Sequence, residues 1–181
     1  MKQRQWNGTK VNWFMVLARG VVHVEVMPPD WTLNGKGVAA FVDRLPQILS
    51  KMFGTGSRLP RHVFTDRGTG LYTPQGRVVR EYASAIQRNK FHLYWGPDAT
   101  RQSPDMGDLL LHETAVSWFR NVLRKLKPET LPWEETQSQW TRRAKMAIAY
   151  VNQEYDVAGL SREFPSRLQA VIDGEGERLR K

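Results

Sequence analysis

Along this 181-residue chain the apolar positions recur with two different periods, and the period changes mark the elements. Residues Val11–Ala18 and Val21–Met27 are rich in Val, Phe and Trp and flank Arg19-Gly20, a pattern that predicts two strands joined by a tight turn. In the second strand Val22, Val24 and Val26 fall on one face and Val21, His23 and Glu25 on the other. Pro28-Pro29-Asp30 ends it. From Lys36 to Phe53 the spacing is helical, with Val38, Phe41, Val42, Leu45, Ile48, Leu49 and Met52 at three- and four-residue steps. Pro46 lies inside this stretch and predicts a kink or an early restart.

Shorter signals follow. His62-Val63-Phe64-Thr65 predicts a strand that ends in the polar turn Asp66-Arg67-Gly68-Thr69-Gly70. Gln75 to Asn89 predicts a helix with Val78, Val79, Tyr82, Ala83 and Ile86 on its apolar side. Phe91 to Trp95 reads as another strand, and about Asp108 to Leu126 as a strong helix. Further helices are expected over Glu134 to Asn152 and from Phe164 or Pro165 to Arg180. An antiparallel opening pair followed by strand–helix alternation predicts an α/β fold with a mixed sheet flanked by helices, and an all-helical C-terminal extension.

Composition narrows the class. Aromatic residues make up 10% of the chain and include seven tryptophans, which excludes a disordered basic tail. The tryptophans Trp6, Trp13, Trp31, Trp95, Trp118, Trp133 and Trp140 are expected mainly in core and inter-element contacts. With no cysteine there is no disulfide scaffold, thiolate metal site or cysteine nucleophile. The apolar runs are broken by Arg19, His23 and Glu25, well short of the roughly 20 residues a membrane helix needs. No secretory signal is read at the N-terminus. The expectation is an intracellular domain, nuclear in a eukaryote, that does not engage membranes.

Charge points to a polyanionic partner. The formal net charge is +9, and between Ser57 and Lys90 seven basic residues (Arg58, Arg61, Arg67, Arg77, Arg80, Arg88, Lys90) face two acidic ones, Asp66 and Glu81. A second cluster, Arg120, Arg124, Lys125 and Lys127, closes the helix after His112-Glu113. Such stripes bind phosphate backbones; the simpler account, charges complementing a helix C-terminus, covers Lys125 and Lys127 well. Asp66 ends an apolar strand inside the first cluster, and ligands bind at the carboxyl ends of strands in open α/β sheets. Taken alone, an aspartate there is a turn residue or cap. With Asp108 or Glu113 it becomes half of a carboxylate pair able to hold a divalent cation for phosphoryl transfer.

Rival motifs fail. His112-Glu113-Thr114-Ala115-Val116 lacks the second histidine of a zincin. Gly35-Lys36-Gly37-Val38-Ala39-Ala40 matches a dinucleotide fingerprint by letters, but no strand leads directly into it, so both glycines read as loop and helix-start residues. There is no Walker loop and no nucleophile elbow.

Three stretches resemble the mariner-type DDE transposases, whose catalytic domain has an RNase H-like fold. They are Lys10 to Val22, Leu59 to Gly68 containing Asp66, and Gln102 to Glu113 followed by Trp118, together spanning about residues 10–127. The resemblance implies an RNase H-like mixed sheet over that span, with 128–181 as the helical extension. It implies Asp66 as the second metal ligand and Glu113 as the third, with Asp108 the runner-up. Forty-six residues separate Asp66 from Glu113, a longer gap than is common in the family. The implied cofactor is Mg²⁺ or Mn²⁺, and the implied partners are DNA and a second copy of the chain. The family's first aspartate lies before the strand pair, whereas Met1–Thr9 contains no acid. The expected protein is therefore a truncated or transposase-derived core that binds DNA and is inactive alone. The alternative is a non-catalytic basic module that binds nucleic acid or protein.

Overall fold

The computed structural model describes residues 11–63, 65, 71, 73, 78–93, 111–129, 131 and 134–174. Among them it is a mixed α/β and mostly helical protein, with strands β1 (Trp13–Ala18), β2 (Val21–Val26), β3 (His62–Val63) and β4 (His92–Leu93). The helices are α1 (Gly35–Phe53), α2 (Arg80–Arg88), α3 (Leu111–Lys125), α4 (Gln137–Glu154) and α5 (Val157–Asp173). The strands form two separate pairs, β1–β2 antiparallel and β3–β4 parallel. Where one mixed sheet was expected, the described residues hold two small ones. No helix among them is long and apolar enough to cross a membrane.

The chain divides into two compact units, 1–30 with 111–168 and 31–110 with 169–181. In the first, β1 and β2 meet at Arg19-Gly20, both with positive φ (47° and 74°), as a two-residue type I′ hairpin turn requires. A Cβ on Gly20 would lie 2.8 Å from Cα of Ala158, so that position needs glycine for space as well as for conformation. The period-2 reading of β2 holds. Val22 is 1% exposed and Val24 packs beside it, while His23 and Glu25 pair with each other on the other face at 3.1 Å. Onto the apolar face pack Ala115, Phe119 and Val122 of α3 and Ala144, Ala147 and Val151 of α4.

Polar contacts fix the register of this packing. The Asn152 side chain accepts from the Val22 N–H and donates to the Val22 carbonyl, both at 2.8 Å, so one α4 amide satisfies a full backbone position of β2. Gln137 donates to the Met27 carbonyl at 2.7 Å. Thr136 and Gln139 form a capping box at the start of α4. Thus α4 shares a core with β1, β2 and α3, and the sequence boundary at 127/128 falls inside this unit.

Helix α2 starts at Arg80, where the sequence reading began it at Gln75, because Val79 is extended (φ −64°, ψ 135°) and Val78 forms a bridge. Helix α4 starts at Gln137, not Glu134, behind its Thr136 cap. Two prolines also act otherwise than expected. Helix α1 runs as one element through Pro46, because Val42, Leu45, Ile48 and Leu49 are buried on either side and one lost backbone bond does not outweigh that burial. Helix α5 starts at Val157, seven residues before Phe164, and carries Pro165 inside. Its start is set by Asp156, whose carboxylate accepts from the Gly159 N–H at 2.7 Å.

Phe119 is fully buried, with its ring 5.2 Å from Trp13 and 6.5 Å from Trp140. Phe119→Ala is expected to destabilise this unit by about 3–5 kcal/mol. Urea unfolding followed by tryptophan fluorescence measures it, and a loss below about 1 kcal/mol would contradict this packing.

Candidate nucleic-acid interface

The second unit is built on α1 packed against α2. Asn34 caps α1 by accepting from the Gly37 N–H at 2.9 Å, and the Trp31 indole donates to the Gly37 carbonyl at 2.9 Å. A Cβ on Gly37 would fall 2.0 Å from the Thr32 carbonyl oxygen, which accounts for glycine there without any nucleotide. Helix α1 has no acid in its first turn, but Glu81 of α2 places a carboxylate oxygen 3.1 Å from where a Gly35 Cβ would lie. That negative charge complements the helix N-terminus.

At its other end α2 is tied to α1 through Asp43. Arg88 donates to both oxygens of that carboxylate through Nε and Nη2, and Asn89 Nδ2 adds a third hydrogen bond at 2.6 Å. The hydrogen bond from Arg88 lowers the Asp43 pKa against an opposing push from partial burial, with the Asn89 bond helping. Asp43 is therefore engaged within the unit, and Glu81 lies beside the start of α1.

Helix α2 then ends in a Schellman motif. The Lys90 N–H donates to the Gln87 carbonyl at 3.0 Å, and the Phe91 N–H to the Ile86 carbonyl at 2.9 Å. The residue between, Lys90, has φ 56°, the left-handed conformation normally given to glycine. Phe91 drops into the core at 4% exposure, and the chain enters β4. Alongside it, Arg61 donates from Nη1 to the Asn89 carbonyl at 3.0 Å and lays its guanidinium over the Phe91 ring, 5.7 Å from the centroid. The His92 N–H donates to the Arg61 carbonyl at 2.7 Å. Arg61 and Lys90, distant in sequence, thus flank one joint between α2 and the β3–β4 pair.

The positive charge follows the same division. The described residues of this unit hold eight Lys/Arg against three Asp/Glu, whereas those of the other unit hold ten against nine. Arg58, Arg61, Arg80, Arg88 and Lys90 are all exposed on the basic unit. Arg120 and Arg124 are exposed on α3 in the other unit, where Arg124 and Lys125 lie in the last turn and complement the helix C-terminus. Arg67 and Arg77 lie outside the described residues.

Of the three acids considered for metal binding, Asp66 and Asp108 lie outside the described residues. Glu113 is exposed in the first turn of α3. Among the described residues no group of three His, Asp or Glu side chains gathers, and one carboxylate does not make a Mg²⁺ or Mn²⁺ site. Compared with models of protein families, curated proteins and solved structures, the chain matches none.

Asp43, Asn89 and the histidines of β3 and β4 were not singled out by the sequence. The available signal was Asn89-Lys90 at the end of a helical period, a C-cap pattern in which asparagine precedes the left-handed residue.

Two outcomes follow for this joint. Lys90→Gly relieves the left-handed strain and is expected to raise stability by about 1 kcal/mol in thermal or urea unfolding; no gain would argue against that backbone conformation. Asp43 has a lowered folded pKa, so its stabilisation is present above its ordinary value of 3.8 and is lost as pH falls through the lowered one. Asp43→Asn is accordingly less stable than the unaltered chain at pH 7, with the gap closing below pH 3.8. The partners are 53% and 40% exposed, so screening keeps the effect small.

Proposed function

We propose that this protein binds the phosphate backbone of DNA through the basic unit, with the α2–β4 joint as its point of closest approach. The observation that carries this reading is Lys90. A lysine stands where glycine would be more stable, beside an arginine pinned by Phe91 and in a unit whose Asp43 is engaged by Arg88. Strain of that kind is retained where the side chain has a task. Arg88, by contrast, is spent on Asp43 and serves mainly to hold the joint.

The proposal extends to the kind of DNA-binding domain. The order β1–β2–α1–β3–α2–β4–α3, with β3 and β4 parallel on either side of α2, supports an RNase H-like domain of the DDE transposase type. Asp66 follows β3 by three residues and Glu113 opens α3, the two places where that family carries acids. In a complete site those acids, with Asp108 as the alternative to Glu113, would hold Mg²⁺ or Mn²⁺ for strand cleavage and joining. Asp66 and Asp108 lie outside the described residues, and the charge of the basic unit supports DNA binding directly, so DNA binding is the primary reading.

Duplex DNA affinity should fall steeply as salt rises from about 50 to 200 mM, the mark of counterion release. Lys90→Gln should shallow the slope of log K against log salt by about 0.9, the value of one phosphate contact. Arg88→Gln should change it less. Salt-independent binding would remove the proposal. The DDE extension is read separately from Mn²⁺ titration and nicking assays. Asp66→Asn should weaken Mn²⁺ binding and abolish any nicking; if neither changes, a non-catalytic DNA-binding module remains.

A further inference from the structure

The paired strands of the basic unit bring two histidines together. His62 and His92 are direct cross-strand partners in the parallel β3–β4 register, and both are exposed. Their ring centroids are 5.5 Å apart and their planes are inclined by 34°. Two imidazoles bound to one tetrahedral cation, with metal–nitrogen bonds of about 2.0–2.1 Å, place their ring centres about 5 Å apart. The separation is that of a chelating pair before it closes on an ion.

The cationic neighbours do not occupy this face. Side chains alternate across a strand, so Arg61 and Phe91, each one residue before a histidine, lie on the opposite side of the pair. The structure bears this out: the Arg61 guanidinium stacks on Phe91, and Phe91 is buried while His92 is exposed. The Arg61 guanidinium is thereby drawn away from the imidazoles. Lys90 carries its charge on a flexible stem able to extend into solvent.

We infer that His62 and His92 form a two-imidazole site for a borderline divalent transition ion of the Zn²⁺, Ni²⁺ or Cu²⁺ class. Imidazole nitrogen favours these ions, whereas Mg²⁺ and Mn²⁺ prefer oxygen ligands. Among the described residues no third His, Asp or Glu joins the pair. The site is independent of the DNA-binding reading and uses none of the carboxylates considered for the DDE centre.

Titration of the tag-free chain with NiCl₂ at pH 7.5, followed calorimetrically, tests it. One ion per chain is expected, with His62→Gln and His92→Gln each weakening binding about tenfold or more and His23→Gln and His112→Gln leaving it unchanged. A second measurement needs no variant: substoichiometric Ni²⁺ should broaden the imidazole NMR signals of His62 and His92 together, before those of His23 and His112. Absence of binding overturns the inference, as does binding that survives both His62→Gln and His92→Gln. Broadening that begins at the other histidines overturns it as well.

Discussion

The basic unit depends on one carboxylate. Asp43 projects from the middle of α1 and accepts hydrogen bonds from Arg88 and Asn89, the last residue of α2 and its C-cap. That clasp fixes where α2 stops. The stop places Lys90 in the left-handed conformation, turns Phe91 into the core and delivers His92 to β4. Asn89 passes the constraint on, since its backbone carbonyl receives Arg61 from the neighbouring strand. Two segments almost thirty residues apart in sequence are therefore registered by a chain of polar contacts that begins on a third. A half-exposed ion pair contributes little stability by itself; its importance here is geometric.

The other unit uses buried polarity to the same end. Glu135 is 8% exposed and pairs with Arg143, whose Nη1 also donates to the Leu123 and Leu126 carbonyls at the end of α3. A buried ion pair gains its value from having every group satisfied, and Arg143 achieves this by capping a helix that ends with unpaired carbonyls. Asn152 does for the edge of β2 what Arg143 does for the end of α3. Apolar burial alone would let α4 slide along the sheet. The two side chains, nine residues apart on α4, remove that freedom.

How much of this was legible in the sequence depends on the range of the interaction. Periodicity is local, so the alternation of β2 and the helical spacing of α1 and α3 could be read directly. The prolines misled because their effect depends on what surrounds them. Pro46 sits among buried neighbours that hold α1 together. Pro165 reads locally as a helix start, while the Asp156 carboxylate already caps α5 through the Gly159 N–H. The strands β3 and β4 fall within the expected stretches 62–65 and 91–95, but the pairing of the strands into two separate sheets is a long-range property that no local pattern carries.

The site shows the same limit. Charge density between Ser57 and Lys90 was visible as composition, yet composition treats every arginine alike. The structure separates them by partner. Arg88 is bound to a carboxylate, Arg61 is stacked on a ring, and Lys90 is held out by a strained backbone. Two residues without formal charge proved as distinctive as any cation, because His62 and His92 become neighbours only once β3 and β4 pair in register. A shift of one residue in that register would put Arg61 or Val63 opposite His92 and separate the rings. The Asp43 clasp, by ending α2 where it does, is thus what decides which side chains this face presents.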